Sequence, residues 1–182
     1  MLFDREKALN TVLYISRNIE KANFHKVFKI LYFAEQKHLA KYGTSILDDT
    51  YVAMKNGPVP SKTYDILKAI RNELAFKVDT YFEKKLIEVR DDHFLVPVGE
   101  VDRELFAESE LECLDESILE NKTLSFGALT EKSHDKAWKN ADKNDSISFL
   151  EIAKVGGADK SMLQYITQVL ENQRLLTNVS AG

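Results

Sequence analysis

The chain has 182 residues, 44% of them hydrophobic, which is enough for one full-sized core and makes two very small domains a poor alternative. Its 29 acidic and 25 basic residues leave a net charge of −4, which argues against nucleic-acid binding by general electrostatics, since that affinity depends on Lys and Arg neutralising phosphates. Cys113 is the single cysteine, so an internal disulfide and a multi-thiolate zinc site are both excluded.

The N-terminus, "MLFDREKALNTVLYISRNIEK", becomes charged at Asp4, unlike a signal peptide. No apolar run approaches the ~20 residues needed to cross a bilayer, so a soluble, cytoplasmic protein with no membrane partner is expected. Asp4 is a suitable N-cap for an amphipathic helix over residues 4–20, with Leu9, Val12, Leu13, Ser16 and Ile19 at helical spacing. A second helix, residues 24–42, ends at Gly43, a good C′ residue. It is apolar almost all round, the pattern of a central buried helix.

Next comes a compact corner, "SILDDTYVAMKNGPVPSKTYDIL", read as a strand from Tyr51 to Lys55, a Gly-Pro turn and a third helix from about Ser61 to Leu74. "KLIEVRDDHFLVPV" alternates as a β-hairpin turning at Asp91-Asp92, with Pro97 marking a sheet edge. Ser109-x-x-Glu112 has the form of a capping box for a fourth helix through Leu111, Leu114, Ile118 and Leu119. A shorter helix follows Ser125, carrying Phe126 and Leu129. Gly156-Gly157 breaks the chain before a last helix capped by Asp159. The acidic run between residues 100 and 120 reads as a solvated face. The expected fold class is α+β, mainly helical: a bundle of about six helices with a small antiparallel hairpin or sheet.

Candidate chemistry is sparse. Glu35-x-x-His38 and Glu131-x-x-His134 each have the spacing of half a di-iron carboxylate site. A full site needs two further inward carboxylates, and none of Glu6, Glu20, Glu73 and Glu116 sits on an apolar stripe, so neither metal nor cofactor is expected. Glu35 and His38 do fall on the apolar face of the second helix, where burial would demand partners. There is no Gly-x-Ser-x-Gly, phosphate loop or dinucleotide fingerprint, and Cys113 sits among leucines as a structural thiol. The residues thus point away from an enzyme. Asp48 and Asp49 are adjacent and point in different directions, so a corner-fixing hydrogen bond to buried backbone is favoured over a cation site or a direct partner contact.

Two helices, a third and a hairpin is also the element order of a winged-helix DNA-binding regulator, which would place "SKTYDILKAIRNEL" in the major groove. That helix mixes Lys62, Lys68 and Arg71 with Asp65 and Glu73, and the hairpin tip is Asp91-Asp92, which phosphates repel. This remains the alternative reading.

"KVFKILYFAEQKHLAKYG" followed by "DDTYVAMKNGPVPSKTYD" resembles the Panacea domain, the SocA-like antitoxin family. Lys26, Lys29, Leu31, Tyr32, Phe33, Ala34 and Gly43 carry the first block, and Ala53, Gly57, Pro58, Val59 and Tyr64 the second. Ser133-His134 ahead of Trp138 is a weaker echo, so the resemblance covers about residues 5–140 and leaves 141–182 as a helical extension of the same single domain. Met54 stands where the family usually has Trp, and Pro60 follows Val59 without the usual intervening residue. The resemblance implies a bacterial or prophage-borne antitoxin, of a kind tied to phage defence, that neutralises a cognate toxin encoded beside it by direct contact. One family member delivers its toxin to a protease, which makes a protease or chaperone system a second candidate partner. Because the motif residues concentrate at the corner, the candidate partner-binding residues are Asp48, Asp49, Tyr51, Met54, Asn56, Gly57, Pro58, Tyr64, His134 and Trp138.

Overall fold

The computed structural model describes residues 3–71 and 86–179. The first helix, α1 (Arg5–Arg17), starts where Asp4 accepts hydrogen bonds from the backbone N–H groups of Glu6 and Lys7, satisfying two of the four unpaired donors of a helix start. α2 (Phe24–Tyr42) is capped by Asn23, whose side chain accepts from Lys26 N, and closes at Gly43 in the left-handed region, φ +72. Both caps are local chemistry, and both boundaries follow from it.

α2 is the axis of the molecule. Val27, Ile30, Leu31, Tyr32 and Ala34 are sealed from solvent, and α1, most of the later helices and the first sheet pack on it. The chain then forms β1 (Tyr51–Met54), β2 (Gly57–Pro60) and α3 (Ser61–Arg71). The expected extension of α3 to Glu73 and Leu74 falls outside the described residues. β3 (Ile87–Arg90) and β4 (Phe94–Pro97) form the second hairpin, with Asp91 and Asp92 both at positive φ at its tip. A 3-10 turn (Arg103–Leu105) leads into α4 (Glu108–Asn121), α5 (Phe126–Ser133) and α6 (Lys136–Asn140). β5 (Ser146–Ile147), α7 (Phe149–Val155) and α8 (Lys160–Val179) complete the chain. The fold is α+β and mainly helical, with eight α-helices among the described residues and two small antiparallel sheets, ordered β2-β1-β5 and β3-β4.

Several local expectations need correction. Gly57-Pro58-Val59-Pro60 is a strand, not only a turn: the turn is the two residues Lys55-Asn56, since Met54 pairs with Gly57. Prolines are tolerated because ladder bonds fall at alternate positions, marked by Ser61 N donating to Thr50 O, so Pro58 and Pro60 turn their missing N–H toward the open edge. The fourth helix starts before Ser109: Ala107 is the N-cap residue, and Glu110 reaches back to accept from its N–H. Leu119 and Phe126, expected on apolar faces, are exposed. The acidic run is not simply a solvated face, because Glu112, Glu116 and Glu120 of α4 meet Lys37 and Lys41 of α2 at 2.7 to 3.2 Å. Such exposed pairs are worth ~0–1 kcal/mol each, so the buried seam below them carries the α2–α4 packing. There Ser117 Oγ donates to the Ile30 carbonyl at 2.6 Å, and Leu114 and Ile118 join the core.

Candidate functional site

The corner after α2 is held by three buried polar side chains. Glu35 accepts from Ile46 N through both carboxylate oxygens, at 3.1 and 3.3 Å. His38 bonds the Thr44 carbonyl through Nδ1 and Ser109 Oγ through Nε2. Asp49 takes Lys62 N on one oxygen and Thr63 N and Oγ1 on the other, all within 2.9 Å, so a carboxylate from the preceding loop caps the first turn of α3. Burial pushes the Glu35 carboxyl up to about 8, against the hydrogen bonds from Ser45 and Ile46 that favour its ionised form. Glu35 and His38 therefore clamp the loop over residues 43–50, while Glu131 is exposed. Among the described residues no group of three or more His, Cys, Asp or Glu side chains is arranged to hold a metal ion.

Below β2 lies a lysine that sequence reasoning met only as a motif letter. Lys29 is 1% exposed, and its Nζ donates to the Pro58 carbonyl at 2.7 Å, the edge oxygen that the proline pattern leaves unpaired. Desolvation pushes its ammonium down to about 7. Gly57, φ +98, sits directly against it: a Cβ there would lie 2.7 Å from Lys29 Cε and would overlap Ser133 Oγ. The glycine is thus required by backbone conformation and by space together. His25 bonds Thr130 Oγ1 at 2.9 Å and stacks on Phe126; burial, then the charge of Lys29, pushes its imidazole down to about 4. The signal in the sequence was a lysine embedded in a helix that is apolar on every side.

The second half of the site comes from α5 and α6. Asp135, absent from the candidates, caps α6 by accepting from Trp138 N, and its carboxylate also takes Tyr32 Oη at 3.0 Å and Gln36 Nε2 at 2.6 Å from α2. That anchor places Trp138 against β1. Its indole Nε1 donates to the Met54 carbonyl at 3.0 Å, and the His134 ring lies stacked on it, centroids 3.7 Å apart and planes 10° apart. His134 Nε2 is buried without a hydrogen-bond partner among the described residues.

The ten candidate residues therefore separate into two sets. Asp49, Tyr51, Gly57 and Pro58 are buried, so their side chains are framework; Tyr51 packs against Tyr32, its hydroxyl without a hydrogen-bond partner among the described residues. Met54 and Asn56 are exposed, and Asp48, Tyr64, His134 and Trp138 half-buried. Tyr64 packs edge-on to Phe24 and Phe28. Two hollows flank the Lys55-Asn56 turn. One, about 240 Å³, runs past Phe24, His25, Lys29, Gly57 and Tyr64. The other, about 360 Å³, is lined by Met54, Lys55, Trp138, Lys139, Ala141 and Lys143.

The cations of α3 are engaged within the fold: Lys68 pairs with Asp65 at 2.6 Å and covers the Tyr64 ring, Arg71 donates to the Asp92 carbonyl, and Lys62 sits over Phe3. This helix offers little to a phosphate backbone. No helix among the described residues is long and apolar enough to cross a membrane.

The site is thus a small sheet seated on a buried helix, with a hollow lined by Trp138 beside its turn. The family model of the antitoxin SocA-like Panacea domain matches residues 27–139, more than half of the chain, and the chain belongs to that family. The match begins within α2, leaving α1 outside it, and ends at the residue after Trp138. No curated protein and no solved structure matches the chain.

Proposed function

We propose that this protein is the antitoxin of a toxin–antitoxin pair, acting in the cytoplasm by binding, without catalysis, a cognate toxin encoded beside it. The observation that carries this reading is the family match, whose span runs from α2 through the corner to Trp138. The contact surface is the rim formed by Asp48, Met54, Asn56, Tyr64, His134 and Trp138, held in shape by Asp49, Tyr51, Gly57 and Pro58 beneath it. Such a rim has the makeup of a binding hot spot: an aromatic anchor immobilised before the partner arrives, so that little rotamer freedom is lost on association.

Expressing the neighbouring reading frame with and without this protein tests the reading. Growth arrest that this protein relieves, with the two proteins co-purifying, is the expected result. A harmless neighbour, or relief without a complex, overturns it. Within a complex, Trp138→Ala is expected to weaken binding by about 2 kcal/mol while leaving the helical circular dichroism spectrum intact.

A further inference from the structure

The hollow between Met54 and Trp138 combines an apolar wall with a ring of lysines. Its wall is apolar, built from Met54, Trp138 and Ala141, and its volume of about 360 Å³ suits one large side chain. Lys55, Lys139 and Lys143 also line it, all three exposed and none in an ion pair among the described residues. Several other lysines are matched: Lys7 with Glu110, Lys37 and Lys41 with the glutamates of α4, Lys154 with Glu151. Asp142 and Asp145 share the loop with Lys143, yet neither pairs with it; the Asp145 carboxylate accepts from Ser146 N. Three unmatched positive charges thus stand around one aromatic hollow on a chain whose net charge is −4.

Resting on the antitoxin reading, we infer that the Met54–Trp138 hollow docks an acidic segment of the partner protein: one large apolar side chain entering beside the indole, with carboxylates on either side of it meeting Lys55, Lys139 and Lys143. The arrangement separates two tasks. The immobilised indole supplies the buried contact that slows dissociation, and the lysines attract the segment and set its register. A peptide suits the site better than a nucleic acid strand, because the exposed aromatic platform is a single ring with His134 already stacked against it, whereas strand binding uses successive stacking surfaces.

Panning a displayed random dodecapeptide library against the full chain, with a Lys55→Glu/Lys139→Glu/Lys143→Glu variant as counter-selector, tests this. Trp138 is the only tryptophan, so Trp-free versions of the selected peptides report occupancy through its emission. The expected result is enrichment of Asp and Glu around a Phe, Leu or Met, a shift of Trp138 emission, and binding weakened about tenfold or more by the triple variant and by added salt, at unchanged melting temperature. Met54→Asp provides a second variant, expected to weaken binding by placing a carboxylate on the apolar wall without removing a lysine. Selected peptides without acidic residues, undiminished binding to the triple variant, or tighter lysine-dependent binding of a single-stranded oligonucleotide would each overturn the inference. The antitoxin reading fails separately: a triple variant that still neutralises the neighbouring toxin as well as wild type removes this docking site and leaves the antitoxin standing. Wild-type protein that neutralises nothing, while selecting acidic peptides, does the reverse.

Discussion

At the scale of single residues, two buried ionisable groups should make stability depend on pH in opposite directions. Glu35 titrates near 8 in the folded protein and near 4.5 unfolded, so between those values the folded state holds a proton that the unfolded state has released. Stability from this group is present at low pH and falls as pH rises through that window, with a slope of at most ~1.4 kcal/mol per pH unit. Lys29 titrates near 7 folded and near 10.5 unfolded, so here the unfolded state holds the extra proton and stability rises across that window. Urea unfolding across pH should therefore show Glu35→Gln flattening the first slope and Lys29→Met the second. Gly57→Ala combines a positive φ with a clash against Lys29 and Ser133, and is expected to cost about 2–3 kcal/mol in the same assay. None of these environments was visible from residue type alone. Glu35 and His38 lay on the apolar face in the sequence and so announced a need for partners, but that the partners are the 43–50 loop and Ser109 follows only from the packed structure.

Among the elements, the legible ones are those with local signals. Asp4, Asn23 and Gly43 mark the ends of α1 and α2 through caps a few residues away, and Ser125 and Asp159 do the same for α5 and α8. α3 has no such neighbour. Its cap arrives from Asp49, twelve residues before the helix begins at Ser61, so the periodicity showed the helix while the source of its cap stayed one of several choices for the Asp48-Asp49 pair. Asp49→Ala should leave the Lys62 and Thr63 N–H groups unpaired and cost about 2 kcal/mol, read as a lower urea midpoint with earlier loss of exchange protection in α3. β2 was missed as a strand because proline normally argues against one; the register that lets Pro58 and Pro60 face an open edge is a property of the pairing, not of the segment. α6 and α7 are short, and tertiary contacts decide them: Asp135 reaches into α2, and Ile152 and Ala153 are buried against it.

For the molecule as a whole, the family match stops at residue 139, yet the chain beyond it closes over the same central helix. Gly156 touches the backbone of Gln36 so closely that a Cβ would overlap its carbonyl oxygen, and Met162 and Tyr165 pack on Gly43. β5 also supplies the second neighbour of β1, and the loop leading to it lines the Met54–Trp138 hollow. We therefore propose that residues 141 onward fold with the rest as one unit. Truncation after Asn140 should remove Ile147, Ile152, Ala153 and Ile166 from the core and give a chain without a cooperative thermal transition, whereas an independent extension would leave the melting temperature unchanged. The bond from Trp138 to position 54 has a consequence for how such a surface can diverge. The indole is moored to a main-chain oxygen, an atom every amino acid brings, so the residue at 54 can be exchanged without loosening the ring beside it. A different side chain at 54 would re-line the hollow and leave the mooring of the ring as it is.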